Sequence, residues 1–355
     1  MREPPLPDLQ PILSALWLLV AVAVGSVLVL GRDVLVPLAV AILVWAFVNA
    51  VATQLVRLSR GLLHRRAALP YGVALVFAVL VVVWMILVIV QVVADNVAQI
   101  AAAAPGYRDS LQAALPQLGT VLGVDVPELV NDVLDQIHVN EIVTQLAGAL
   151  TALAGNTMLV LLYVGFLLLE QQAIQRKLEV LHEDPVRAQR TRVAIDRAIE
   201  RIEVYIRVKT FVSALTAALS YAVMWLFEIN YASFWALIIF LLNYIPNIGS
   251  ILAVTFPTVL TLAQFADLVT TLTVGGLLTA LQFTIGNILE PRLMGTSLNL
   301  SPFVIILSLA VWGSIWGVAG MFLCVPLTMI LLILLSQFPQ SRPIAVLLSG
   351  NGRLD

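Results

Sequence analysis

Asn243-Tyr244-Ile245-Pro246-Asn247-Ile248-Gly249-Ser250 lies inside an apolar run from Tyr231 to Ala263. Asparagine side chains and a helix-breaking proline have no reason to stand in the middle of a simple membrane helix. They leave backbone groups without partners, which hydrocarbon tolerates only where the break is buried in protein or lines a wet cavity. The stretch therefore predicts the working part of a membrane protein.

Composition agrees. The chain has 355 residues, 61% of them hydrophobic and 11% charged, with a mean hydropathy of +1.00. A soluble domain carries about 25% charged residues, so a polytopic membrane protein is expected. A net charge of −2 excludes a broadly basic surface that would coat nucleic acid. Cys324 is the single cysteine, so no disulfide forms within the chain. Lys177 and Lys209 are the only lysines among the basic residues, which reads as a genomic preference for arginine.

Apolar runs long enough for a membrane helix of about 20 residues are Ile12–Leu30, Val34–Ala52, Tyr71–Val93, Thr210–Phe227 and Leu268–Ile288; Met158–Leu169 is a shorter one. Ile12–Leu30 exceeds the apolar core of a signal peptide and is read as a retained helix. The Thr53–Pro70 loop holds Arg57, Arg60, Arg65 and Arg66 and no acid. The positive-inside rule places it, and with it the N-terminus, in the cytoplasm. Residues 1–94 thus make three spans, and 95–157 forms an extracytoplasmic helical segment punctuated by Pro105, Pro116 and Pro127. Within that segment Val130, Val133, Leu134 and Ile137 recur at helical spacing. Residues 158–170 are a fourth span. Residues 171–209 are a cytoplasmic amphipathic linker, on which Ile195, Ile199, Ile202 and Ile206 form one stripe and Glu203 and Arg207 stand four apart.

Residues 210–336 are the expected transport core, followed by a cytoplasmic tail at 337–355. Tyr231–Ala263 would rise about 50 Å as one helix, against a hydrocarbon core of about 30 Å. Pro302–Ser336 is similarly overlong. Each run has an apolar arm, a break, and a second arm containing a proline: Asn243–Ser250 then Pro257, and Trp312–Gly317 then Pro326. Each follows a plain helix. This weak repeat predicts an all-α fold of about six full spans plus two broken or re-entrant helical hairpins, 231–263 and 302–336, arranged as in secondary transporters with inverted repeats. The other reading makes each run one long, kinked span. The two differ on whether Glu290–Leu300 is cytoplasmic (hairpins) or extracytoplasmic.

Candidate chemistry collects near the breaks. There is no G-x-x-x-x-G-K-[ST] for ATP phosphates, and His64, His138 and His182 form no H-E-x-x-H. Gly295–Asn299 fails the G-x-S-x-G pattern. No enzyme, no metal site and no cofactor is expected. Asn243, Tyr244, Pro246, Asn247, Gly249, Ser250, Gln282 and Asn287 offer amides, hydroxyls and freed backbone groups suited to a small polar solute. Capping of the broken ends would explain Asn243 and Asn247 equally well. Glu290-Pro291-Arg292 is either a Na⁺ or proton coupling pair or a structural ion pair at the interface. Trp312 and Trp316 read as interfacial anchors or a stacking surface, and Gly313, Gly317 and Gly320 as close helix packing, with Gly313 and Gly317 forming a G-x-x-x-G, or as a flexible hairpin tip.

At these residues the sequence resembles the autoinducer-2 exporter family of bacterial inner-membrane proteins. The resemblance rests on Asn243–Gly249 with Pro257, on Asn287–Gly295 with Glu290-Pro291-Arg292, and on Leu298–Pro302 running into Trp312-Gly313 and Gly317–Pro326. It implies an ATP-independent permease that exports a small signalling molecule such as autoinducer-2, in homo-oligomers that include pentamers. Relatives assigned Na⁺(Li⁺)/H⁺ antiport make that the first alternative. A non-transporting scaffold or channel-like oligomer is the second. Both termini are expected in the cytoplasm.

Overall fold

The structure is a computed structural model, and it describes residues 10–62, 69–122, 157–171, 173, 185–295, 298–338 and 340–353. The stripe at 130–137, Pro127 and the three histidines lie outside these residues. The described elements are α1 (Gln10–Leu30), α2 (Arg32–Leu62), α3 (Tyr71–Leu122), α4 (Thr157–Gln171), α5 (Pro185–Leu226), α6 (Ala232–Leu242), α7 (Ile248–Phe265), α8 (Leu268–Met294), α9 (Pro302–Ser336) and α10 (Arg342–Leu348). Among the described residues there is no strand, only one isolated bridge between Leu300 and Ser349.

Among the described residues, six helical stretches are long and apolar enough to cross a membrane: Arg32–Arg60, Tyr71–Asn96, Ile195–Leu226, Ile248–Phe265, Leu268–Met294 and Pro302–Ser336. They are not the six expected above, since Ile248–Phe265 and Pro302–Ser336 belong to the two broken runs. α2 and α3 pack through Val48, Ala52, Ala74 and Ala78, all essentially inaccessible. Small side chains let membrane helices approach closely, and dispersion rather than hydrophobicity holds them there. At the foot of this pair Tyr71 donates to Asn49 Oδ1 at 2.6 Å, and Asn49 donates to the Trp45 carbonyl at 3.0 Å.

Two helices continue where breaks were expected. α3 passes through Pro105 and Pro116 to Leu122; its 52 residues make a rod of about 78 Å. α5 runs without interruption from Pro185 to Leu226, joining the expected linker to the expected span across Lys209 and Thr210. Its isoleucine stripe faces protein. Ile202 and Ile206 enter a core with Ala46, Ile245, Met294, Leu300, Val304, Cys324 and Met329.

Both overlong runs are interrupted. In the first, α6 and α7 lie against one another, and Trp235 stacks on Phe256 at 5.6 Å. Their far ends meet: Gln264 accepts from the Asn230 amide at 2.8 Å and donates to the Glu228 carbonyl at 2.8 Å. Asn230 in turn donates to the Tyr107 hydroxyl on α3 at 2.9 Å. In the second run, α9 contains a residue far from helical geometry, Gly317 (φ 60°, ψ −140°). The segments flanking α9 also meet. The Ser301 amide donates to the Leu348 carbonyl at 3.2 Å, and the Gly350 amide donates to the Asn299 carbonyl at 3.1 Å.

Candidate functional site

At the first break the helix unwinds after Leu242 and restarts at Ile248. Pro246 supplies no amide hydrogen, so the turn is closed by the Ile248 amide donating to the Pro246 carbonyl at 2.6 Å. This is a γ-turn centred on Asn247 (φ 60°, ψ −57°), a strained conformation for a residue with a side chain. The Asn247 side chain caps nothing and is exposed. Two residues later Gly249 is pressed against the Leu242 carbonyl, leaving no room for a β-carbon.

The second break is built alike. Gly317 takes the positive-φ position, where nothing crowds it. Gly320 is pressed against the Trp312 carbonyl. Gly313 faces Met321 across the fold. The glycines thus divide between the two expected jobs: Gly317 turns the chain, and Gly313 and Gly320 provide close clearance. The tryptophans are held by protein. Trp312 donates its indole N–H to Thr328 Oγ1 at 3.2 Å, and Trp316 donates to the Leu28 carbonyl on α1 at 2.9 Å. Their rings sit 5.2 Å apart.

The polar residues of the first break divide into two sets. Asn243, Gln282 and Ser250 turn inward and use one another. Asn243 Nδ2 donates to Ser213 Oγ of α5 at 3.0 Å; Gln282 Nε2 donates to Asn243 Oδ1 at 3.2 Å and to Ser250 Oγ at 2.8 Å. This network fastens α5, the break, α7 and α8 together. Tyr244 shares a 2.7 Å hydrogen bond with Thr210 and stacks on Phe322 of the second run at 4.6 Å. The other set faces open space. Asn247 and Ile248 border a groove of about 610 Å³ with Ile306, Leu309, Ala310, Gly313, Ser314 and Met321. The groove lies between the tips of the two broken runs, with Asn247 and Ser314 as its polar side chains among aliphatic ones.

The lower part of α8 widens into a π-helical turn, Ile285–Leu289, directly before Pro291. Proline clashes with the carbonyl four residues back, and an extra residue in the turn relieves it. Asn287 in this turn is exposed and bonds only to its own helix, at the Phe283 carbonyl, 3.3 Å away. Glu290 faces inward and accepts from Lys209 Nζ of α5 at 2.6 Å. Arg292 is exposed and makes no ion pair with it. The expected Glu290–Arg292 pair is thus replaced by Glu290–Lys209, because residues two apart on a helix point in different directions. Lys209 was visible as one of two lysines in an arginine-rich chain, and Ser213, Thr210 and Phe322 carried no comparable signal.

Apolar spans, two interrupted runs bordering one groove, and a polar network sealed among helices are the features of a multi-pass membrane transporter. Residues 13–340 match the AI-2E family transporter, and the chain belongs to that family, one of inner-membrane transporters rather than enzymes. It is 32% identical over 354 residues to the AI-2 transport protein TqsA of Escherichia coli (strain K12), covering 96% of this chain and 98% of the relative. It is 31% identical over 248 residues to a putative transport protein of Borreliella burgdorferi, covering 70% and 68%. The putative transport protein YhhT of Escherichia coli (strain K12) is 28% identical over 338 residues, covering 91% and 95%.

Proposed function

We propose that this transporter exports a small polar solute by alternating access, without ATP, and that autoinducer-2, carried in the name of its relative TqsA, is the compound to test first. The observation that carries the reading is the groove between the two tips. It has a volume of about 610 Å³, no charged lining residue, and Asn247 and Ser314 as hydrogen-bonding groups. Such a mixture suits a compact, uncharged, partly apolar molecule. Asn243, Gln282 and Ser250 would then hold the hairpin in shape, and Asn247, Gly313 and Ile248 would meet the solute.

The two runs are taken as re-entrant hairpins in an inverted repeat. As one straight helix, Pro302–Ser336 would separate its ends by about 50 Å; the contacts of Asn299 and Ser301 with Leu348 and Gly350 support a return to the starting side. The bond from Asn230 to Tyr107 supports an opening of the first hairpin toward the α3 extension, outside the membrane. With Arg57 and Arg60 in the cytoplasm, both termini and Arg292 would lie there too. A homo-oligomer would cover part of the exposed aliphatic faces, such as Val22 and Val27 of α1 and Leu80 and Leu87 of α3.

The test is efflux from proteoliposomes loaded with autoinducer-2, with and without imposed Na⁺ and proton gradients. Saturable efflux with counterflow, reduced in Asn247→Gly and Ser314→Val but not in Asn287→Ala, supports the reading. Efflux no faster than from protein-free vesicles overturns it. Cysteine labelling of Arg292→Cys in a Cys324→Ala background, from the cytoplasmic side only, supports the hairpins; labelling only from outside refutes them.

A further inference from the structure

Lys209 and Glu290 form an ion pair at 2.6 Å whose side chains are only 8% and 19% exposed. Both residues belong to helical stretches long and apolar enough to span a membrane. Their surroundings hold few other titratable groups. Tyr205, one turn before Lys209 on α5, is buried and within electrostatic reach of Glu290, Tyr244 and Cys324. Tyr244 comes from the first break and is bonded to Thr210. Cys324 comes from the later part of α9 and is buried in the same core as Tyr205. Arg292 stands outside this pocket, exposed. The ammonium of Lys209 is thus the positive charge that Glu290 meets.

A carboxylate stripped of water inside a membrane protein must be neutralised, by a proton, by a bound cation or by a basic side chain. Where a cation is free, its occupancy follows its concentration. Here the cation is tied to the chain. We propose that Lys209 occupies the place of a monovalent cation at Glu290, so that this protein takes up neither Na⁺ nor Li⁺ there. The cation site does not rest on the transport reading above.

The test is the melting temperature of the purified full-length protein in detergent, in NaCl, LiCl, KCl and choline chloride at matched ionic strength. The native protein is expected to melt at one temperature in all four salts. Lys209→Ala uncovers the carboxylate and is expected to gain a saturable stabilisation of a few degrees in Na⁺ or Li⁺ over choline. Lys209→Met, which keeps the stem's volume, guards against a folding failure in the alanine variant. Adding Glu290→Gln to either is expected to abolish the gain. Stabilisation of the native protein by Na⁺ or Li⁺ that Glu290→Gln removes would overturn the proposal. So would folded Lys209 variants that ignore all four cations. Melting needs no flux, so a protein that moves no solute defeats the transport reading and leaves this one intact.

Discussion

Gly249 sits directly beneath the carbonyl of Leu242, seven residues earlier, and a β-carbon at that position would fall inside the oxygen's van der Waals shell. Gly320 has the same relation to Trp312. In both broken runs, therefore, the return arm begins with a backbone-on-backbone contact that only glycine allows. The partner in each case is rigid backbone, so neither clash can be relieved by a side chain moving aside.

Gly249→Ala and Gly320→Ala should each force the arms apart. Overpacking typically costs about 1–3 kcal/mol, and a backbone partner puts both at the upper end. Gly276→Ala on the exposed face of α8, where nothing lies within 4 Å, should instead be neutral or gain about 0.5–1 kcal/mol from helix propensity. Thermal unfolding in detergent measures all three. Similar melting temperatures for Gly249→Ala and Gly276→Ala would refute the close contact.

Asn247 combines a positive φ with an exposed amide at the groove. Asn247→Gly removes the amide and suits the backbone. It should raise stability, by about 1 kcal/mol, while lowering solute flux. Asn247→Ala keeps the strain and loses the amide, so it should lower flux with no gain in stability. Flux equal to the native protein's in both variants would remove Asn247 from the pathway.

Asn243 is bonded on both sides of its amide. Asn243→Ala strands Ser213 and half of Gln282's donor capacity. Stranded buried groups cost about 1–3 kcal/mol in soluble proteins, but side-chain bonds between membrane helices average about 0.6 kcal/mol. A loss of about 1–2 kcal/mol is expected, read as melting temperature. Gln282→Ala should cost a similar amount, and the double variant less than the sum, because the two share a bond.

Asp267 caps α8 from the loop after α7. Hydrogen bonds from the Thr270 hydroxyl (2.6 Å) and the Thr270 amide (2.8 Å) hold its carboxyl below the usual carboxylate range. A depressed pKa contributes stability that is present above the unfolded value and lost as pH falls through the folded one. The melting temperature of the native protein should therefore drop between about pH 5 and pH 3 more steeply than that of Asp267→Asn, which still caps but does not titrate. Equal slopes would refute the cap.

Much of this was readable from composition and pattern. Proline and asparagine inside Tyr231–Ala263 announced the first break, and excess length announced the second. Other features were not legible: α3 runs through Pro105 and Pro116 without interruption, and one helix carries both the expected linker and the expected span across Lys209-Thr210. At the site, Asn247 and Gly313 stand beside open space, whereas Asn243, Ser250 and Gln282, singled out with them as candidate solute contacts, bond to one another. Asn287 stands outside the network.

The amino-acid sequence by itself determined that the chain lives in a membrane and where two of its apolar runs break. Those properties follow from hydropathy, helix length and the backbone chemistry of proline and glycine, all of them local. Only the tertiary structure decided which polar group meets which. Glu290 takes Lys209, 81 positions away, in preference to Arg292 two positions away. Helix rotation and inter-helix packing set that choice, and neither leaves a mark in the order of residues.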